Sequence, residues 1–110
     1  MSNENMSTET LGGKLRELRE SKHFPLRKIA AMLDIDVAIL SKMERGERRL
    51  TKEAILKLAE IYQYNSDELL ILFLCEKIMS DIQGEDLGEQ ALIVAKKRFK
   101  YLKDNKANDN

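Results

Sequence analysis

Five of the 110 residues are glycine, one is proline, one is cysteine and none is tryptophan. So little proline and glycine leaves few tight turns and points to a helical protein. A single cysteine, Cys75, excludes an internal disulfide and gives no sign of an oxidising compartment. The longest apolar run is LLILFLC, residues 69 to 75. It falls far short of the ~20 residues that span a bilayer, so no membrane partner is expected. The opening MSNENMSTET has neither a basic start nor an apolar stretch, so no signal peptide is read and a cytoplasmic location is expected. The chain has no glycine-rich phosphate loop, no Ser/His/Asp set and no carboxylate cluster with a basic partner. No enzyme is expected. His23 stands without a metal-ligating neighbour, so neither a metal nor a cofactor is expected. No small-molecule effector site is recognised.

What the chain does have is helical periodicity. Hydrophobic residues make up 43% and charged residues 35%, a balance that suits a helical bundle, and no alternating strand pattern appears. The expected fold class is all-α. A first helix is predicted from Leu11 to Lys22, with Leu11, Leu15 and Leu18 on one face and a start weakened by Gly12 and Gly13. Pro25 fits the first turn of a second helix that ends near Leu33. Asp36 is expected to cap a third with its carboxylate, and Gly46 to close it. Thr51 is expected to cap a fourth helix, with Ile55, Leu58, Ala59 and Tyr62 inward. Asn65 or Ser66 is expected to cap a fifth, with Glu68 placed to complete a capping box. The stretch QGED at 83 to 86 separates it from a sixth, with Leu87, Ala91, Leu92, Ala95, Phe99 and Leu102 on one side.

The most telling stretch is LRKIAAMLDIDVAILSKMERG, residues 26 to 46. Two short amphipathic helices joined by a three- or four-residue turn make a helix-turn-helix, whose second helix can enter the DNA major groove. The net charge of the chain is zero, but its distribution is uneven. Residues 14 to 57 hold 12 Lys/Arg against 7 Asp/Glu, while both flanks are acidic. The basic excess surrounds the candidate motif, as phosphate contact requires.

Read in order, LGGKLRELRESK, PLRKIAAMLDID, VAILSKMERGERR and LTKEAILKLAEIYQYNSDELL resemble the phage-repressor/Cro-like helix-turn-helix domain, also called the xenobiotic-response-element type. The likeness spans residues 11 to 70. It implies a five-helix DNA-binding bundle, usually dimeric, extended here by a C-terminal helical segment. Positions matching the base-contacting face are Asp36, Val37, Ala38, Ser41 and Lys42. Phosphate contacts are expected from Arg45, Arg48, Arg49 and Lys52 after the recognition helix, and from Arg27 and Lys28 on the other flank. Arg19 and Glu44 resemble the family's structural ion pair. Members commonly open the second helix with Ser-Gln, whose glutamine touches a phosphate. Pro25 and Leu26 stand there instead, so that contact does not carry over. Asp34 replaces the glycine often found in the turn, and aspartate tolerates left-handed angles.

The expected organisation is a disordered tail over 1–9, the DNA-binding domain over 10–70, a helical extension over 71–104 and a disordered tail over 105–110. LLILFLCEKIM is apolar on nearly every face, so its helix needs cover on all sides, and Cys75 within it is expected to be buried. A homodimer built from the last two helices would supply that cover, with Leu70, Phe73, Leu74 and Lys77 toward the partner. The expected function is a sequence-specific transcriptional regulator that binds a near-palindromic operator in double-stranded DNA as a dimer. A restriction–modification controller and a phage-type repressor both fit the domain. The competing reading is a protein-interaction module, anti-repressor or antitoxin-like, with little or no DNA binding.

Overall fold

The structure, a computed structural model, describes residues 9–108. The expected disordered segment 1–9 therefore lies, apart from Glu9, outside the described residues, as do the last two residues of the expected C-terminal tail. Six helices follow one another: α1 (Leu11–Ser21), α2 (Leu26–Leu33), α3 (Val37–Glu44), α4 (Lys52–Tyr62), α5 (Ser66–Ile82) and α6 (Gly88–Asn108). No strand occurs among the described residues. The last helix runs through residues 105–108, where the sequence reading expected a disordered tail. The chain divides into two compact units, Met1–Lys77 and Ile78–Asn110, so the first reaches seven residues beyond the boundary expected at 70.

In the first unit α3 packs on α1 and α2, and α1 also meets α4. Leu11, Leu15, Ile29, Leu40, Ile55, Leu58 and Leu69 are almost fully buried and join in one core. Each such side chain contributes about 1.5–3 kcal/mol of transfer free energy. The inward residues read from the α4 periodicity, Ile55, Leu58, Ala59 and Tyr62, are all buried.

Helix starts are held by side chains. Thr10 Oγ1 accepts from the Gly13 N–H at 3.0 Å, Thr51 Oγ1 from Ala54 at 3.1 Å and Asn65 Oδ1 from Glu68 at 3.2 Å. Each cap is worth about 1 kcal/mol. The reciprocal half of the expected capping box is missing, because the Glu68 carboxylate accepts the Tyr64 hydroxyl instead. Pro25 sits at the N-cap of α2, one residue before its first turn. At the start of α1, the Leu11 N–H donates to Glu76 Oε2 at 2.6 Å, which ties α5 to the far end of the chain.

Four helices end alike. His23, Asp34, Gly46 and Gln63 adopt positive φ. At each, the next residue's N–H reaches back five residues, as in Ile35 to Ala30 O at 3.0 Å and Glu47 to Lys42 O at 2.8 Å. This is the Schellman termination, which satisfies carbonyls the helix leaves open.

The α5 helix outruns the core on which it packs. Leu69 and Leu72 are buried, Leu70 and Phe73 are half-buried, and every residue from Leu74 to Asp81 is exposed. The single chain thus leaves most of this run uncovered, and the expectation that Cys75 is buried is corrected, since it is exposed. Cys75 lies beyond Phe73, the last residue of α5 that packs against the core. In the second unit a turn containing Gly84 in the left-handed region leads into α6, whose residues from Glu89 to Lys106 are exposed throughout.

Candidate nucleic-acid interface

The α2–turn–α3 unit is built on a backbone constraint. Asp34 ends α2 at φ 58°, ψ 45°, and the Schellman bonds fold Ile35 back so that it packs against the core. The chain then re-enters a helix at Val37 after only Ile35 and Asp36. Asp36 occupies the N-cap position of α3, but its side chain makes no cap hydrogen bond. The expected carboxylate cap is thus absent for a geometric reason. The first turn is tight, and the Ile39 N–H that such a cap would use goes to the Asp36 backbone carbonyl at 3.0 Å. The Asp36 carboxylate stays exposed at the helix start.

The α3 helix has two faces. Leu40, Met43 and Glu44 are buried. Val37, Ala38 and Lys42 are exposed, and Ser41 is half-exposed. At helical spacing these four share one outward face, and Arg45 continues it as the next residue in the Val37–Ser41 row. The five residues expected at the base edges, Asp36 included, thus form one continuous surface.

The expected phosphate-contacting cations are exposed on the segments before and after α3. Arg27 and Lys28 are exposed in the first turn of α2, with Lys28 Nζ 4.5 Å from the Phe24 ring centroid. Arg45, Arg48, Arg49 and Lys52 are exposed between the end of α3 and the first turn of α4. Arg45 Nε lies 3.5 Å from Glu47 Oε2, an ion pair open to water on both sides. Such pairs are worth little and exchange readily for a phosphate. Arg49 also has an interaction within the chain.

Behind this surface lies a buried ion pair. Arg19 Nε donates to Glu44 Oε2 at 2.8 Å and Nη2 to Oε1 at 3.1 Å, a bidentate arrangement. Its Nη1 donates to the Phe24 carbonyl at 2.9 Å. The hydrogen bonds to Glu44 hold the Arg19 guanidinium above its ordinary value, against the opposing effect of burial. Beside the pair, the Tyr62 hydroxyl is buried with no hydrogen-bond partner, and burial followed by the Glu44 charge pushes it well above the usual tyrosine range. One arginine therefore joins the end of α1, the α1–α2 link and the last residue of α3.

From its sequence Gly12 reads only as a weak helix start. A Cβ there would stand 2.5 Å from the Glu44 carbonyl oxygen and 2.6 Å from that of Met43. The backbone at the end of α3 rests directly on α1, and only glycine permits that approach. The one available signal is a glycine inside an otherwise helical pattern.

A helix-turn-helix family model matches residues 15–69, half of the chain. The chain belongs to the phage-repressor/Cro-like helix-turn-helix family. It is a DNA-binding transcriptional regulator. Family members are DNA-binding regulators, not enzymes. No curated protein and no solved structure gave a match. No helix among the described residues is long and apolar enough to cross a membrane.

Of the four residues expected at a dimer contact, Leu74 and Lys77 are exposed, whereas Leu70 and Phe73 are partly buried against their own core. Lys77 Nζ sits 5.4 Å from the Phe73 ring centroid.

Proposed function

We propose that this helix-turn-helix regulator binds a near-palindromic operator as a homodimer, with α3 in the major groove. One observation carries the reading: Val37, Ala38 and Lys42 of α3 and Arg45 at its C-cap are exposed, and exposed cations precede them on α2 and follow them between α3 and the first turn of α4. Val37 and Ala38 meet thymine methyl groups, Ser41 and Lys42 supply hydrogen-bond donors, and Asp36 accepts from cytosine N4. Arg27, Lys28, Arg45, Arg48, Arg49 and Lys52 contact phosphates and set the docking register. Lys52 shares its site with the positive end of the α4 dipole, which also favours an anion. With so few groups able to read base edges, DNA shape carries part of the specificity. Two-fold symmetry sets the recognition helices about 34 Å apart, one turn of DNA. Within the family, a restriction–modification controller or a phage-type repressor fits best.

The apolar pair Val37 and Ala38 at the reading positions favours one other reading, a protein-interaction module without DNA binding. In vitro selection of bound DNA followed by a salt titration separates the two. The regulator reading expects a palindromic consensus and binding that falls steeply as salt rises. No shift on any duplex at low salt sinks it.

A further inference from the structure

The two helices of the C-terminal half each leave an apolar row open in the single chain, and the rows carry opposite charge. On α5 the row is Ile71, Leu74 and Ile78, about half exposed, with Asp67 and Asp81 continuing it at either end. Its spacing alternates four and three residues, the spacing of a helix–helix seam. On α6 the row is Leu92, Ala95, Phe99 and Leu102, with Phe99 74% exposed and Leu102 66%. It has the same alternating spacing. Lys96, Arg98 and Lys103 lie beside it and Lys106 ends it. Over its whole length α5 has four acids and one cation, and that cation, Lys77, is drawn over the Phe73 ring. Over its length α6 has six cations and two acids.

This pattern decides which surfaces can meet. Packing α6 on a second α6 sets Lys96, Arg98 and Lys103 against cations. Packing α5 on a second α5 sets Asp67 and Asp81 against acids. Like charges at a contact are costly, and opposite ones select the partner. Only α5 against α6 joins an apolar row to an apolar row and an acidic margin to a basic one. We propose that α6 of each chain lies along α5 of a second copy, so that two chains exchange their C-terminal helices reciprocally. This rests on the homodimer reading above and specifies its interface. Two-fold symmetry makes the contact twice, which matters because specific interfaces bury about 1,200–2,000 Å² in total. The interface then centres on Ile71, Leu74 and Ile78, away from Leu70 and Phe73.

Cys75, exposed on α5 beside this row, is the only cysteine in the chain and serves as a probe. The full chain is mixed at tens of micromolar with an isotope-labelled copy carrying Cys75→Ser and Ala95→Cys. The mixture is oxidised mildly and the disulfides are mapped by mass spectrometry, with sedimentation run in parallel. The expected result is a dimer in which disulfides join unlike chains, position 75 to position 95. Asp81→Lys in the first chain lowers the yield by about tenfold, and Lys103→Glu in the second restores it. A dimer joined only between like chains overturns the exchanged pairing while leaving the homodimer reading intact. So does an intrachain disulfide in a monomeric chain that holds both Cys75 and Ala95→Cys, which would place the pairing within one copy. A monomer that forms neither disulfide overturns the pairing and the homodimer reading together.

Discussion

Gly12→Ala adds one methyl group where α1 rests on the end of α3. The new carbon would stand 2.5 Å from the Glu44 carbonyl oxygen and 2.9 Å from its carbon. These are backbone atoms at a helix end and cannot rotate away. The helices must part by about 0.9 Å, the gap between 2.5 Å and ordinary contact at 3.4 Å. Forced insertion of this kind costs about 1–3 kcal/mol in a packed interior. Alanine returns up to about 1 kcal/mol over glycine in helix propensity. A net loss of about 1–2 kcal/mol is expected, and for a domain of this size each kcal/mol lowers Tm by about 4–8 °C. Urea unfolding is the assay, with a lower midpoint at unchanged slope. Gly13→Ala is the control, because its Cβ meets only the Thr10 hydroxyl, at 2.8 Å, which can turn aside. There the lost cap and the gained propensity nearly cancel. Because Gly12 sits under the last residues of α3, DNA affinity should fall with stability in Gly12→Ala and hold in Gly13→Ala. A Gly12→Ala protein as stable as the parent refutes the close-packing argument.

Glu44→Ala should destabilise by about 3–5 kcal/mol in chemical denaturation, since it leaves the Arg19 guanidinium buried and unpaired. The double variant Arg19→Met, Glu44→Leu should recover most of that loss, because it strands no charge. Tyr62→Phe should be neutral or stabilising by about 1 kcal/mol, since it removes a buried hydroxyl that lacks a partner. It should also flatten the alkaline fall in stability. Tyr62 is raised above 10.0 in the folded chain, so as pH rises past that value the unfolded chain loses the proton first and stability drops. Urea midpoints measured at neutral pH and above pH 10 check this, and a fall unchanged by Tyr62→Phe counts against it. Arg48→Ala should weaken binding to all duplexes alike and lower the salt slope by about one. Lys42→Ala should change the selected sequence as well, and an unchanged selection profile would remove Lys42 from the base-contacting set.

Periodicity made the scaffold legible. The spacing of Leu11, Leu15 and Leu18, and of Ile55, Leu58, Ala59 and Tyr62, placed these residues inside, where the core holds them. Helix ends were harder to read. Gly46 was visible as a left-handed stop and Asp34 as a tolerated stand-in for glycine, but His23 and Gln63 reach the same backbone state with no such sequence signature. What drives them there is the pair of backbone bonds of the Schellman turn, which no side chain announces. The Asp36 cap failed for a related reason, since the backbone carbonyl had already taken the donor. The exposure of Cys75 escaped because hydropathy gives how apolar a helix is, not how far its support extends. The close approach at Gly12 is a property of two elements together, so neither stretch shows it alone.

Arg19, Gly12 and the Schellman turn at Asp34 act on one object, the position of α3. Arg19 holds its last residue, Gly12 lets its final carbonyls rest on α1, and Asp34 sets its angle to α2. A helix fixed at three points loses little freedom on docking, so the energy of its contacts is not spent on ordering it. That matters more here than for a reading face rich in arginine or glutamine. Val37 and Ala38 offer only methyl contacts, which discriminate only when the helix stands at a fixed depth in the groove. In the proposed dimer, rigid placement within each subunit and fixed spacing between two of them would together supply the discrimination that the proposed reading surface lacks.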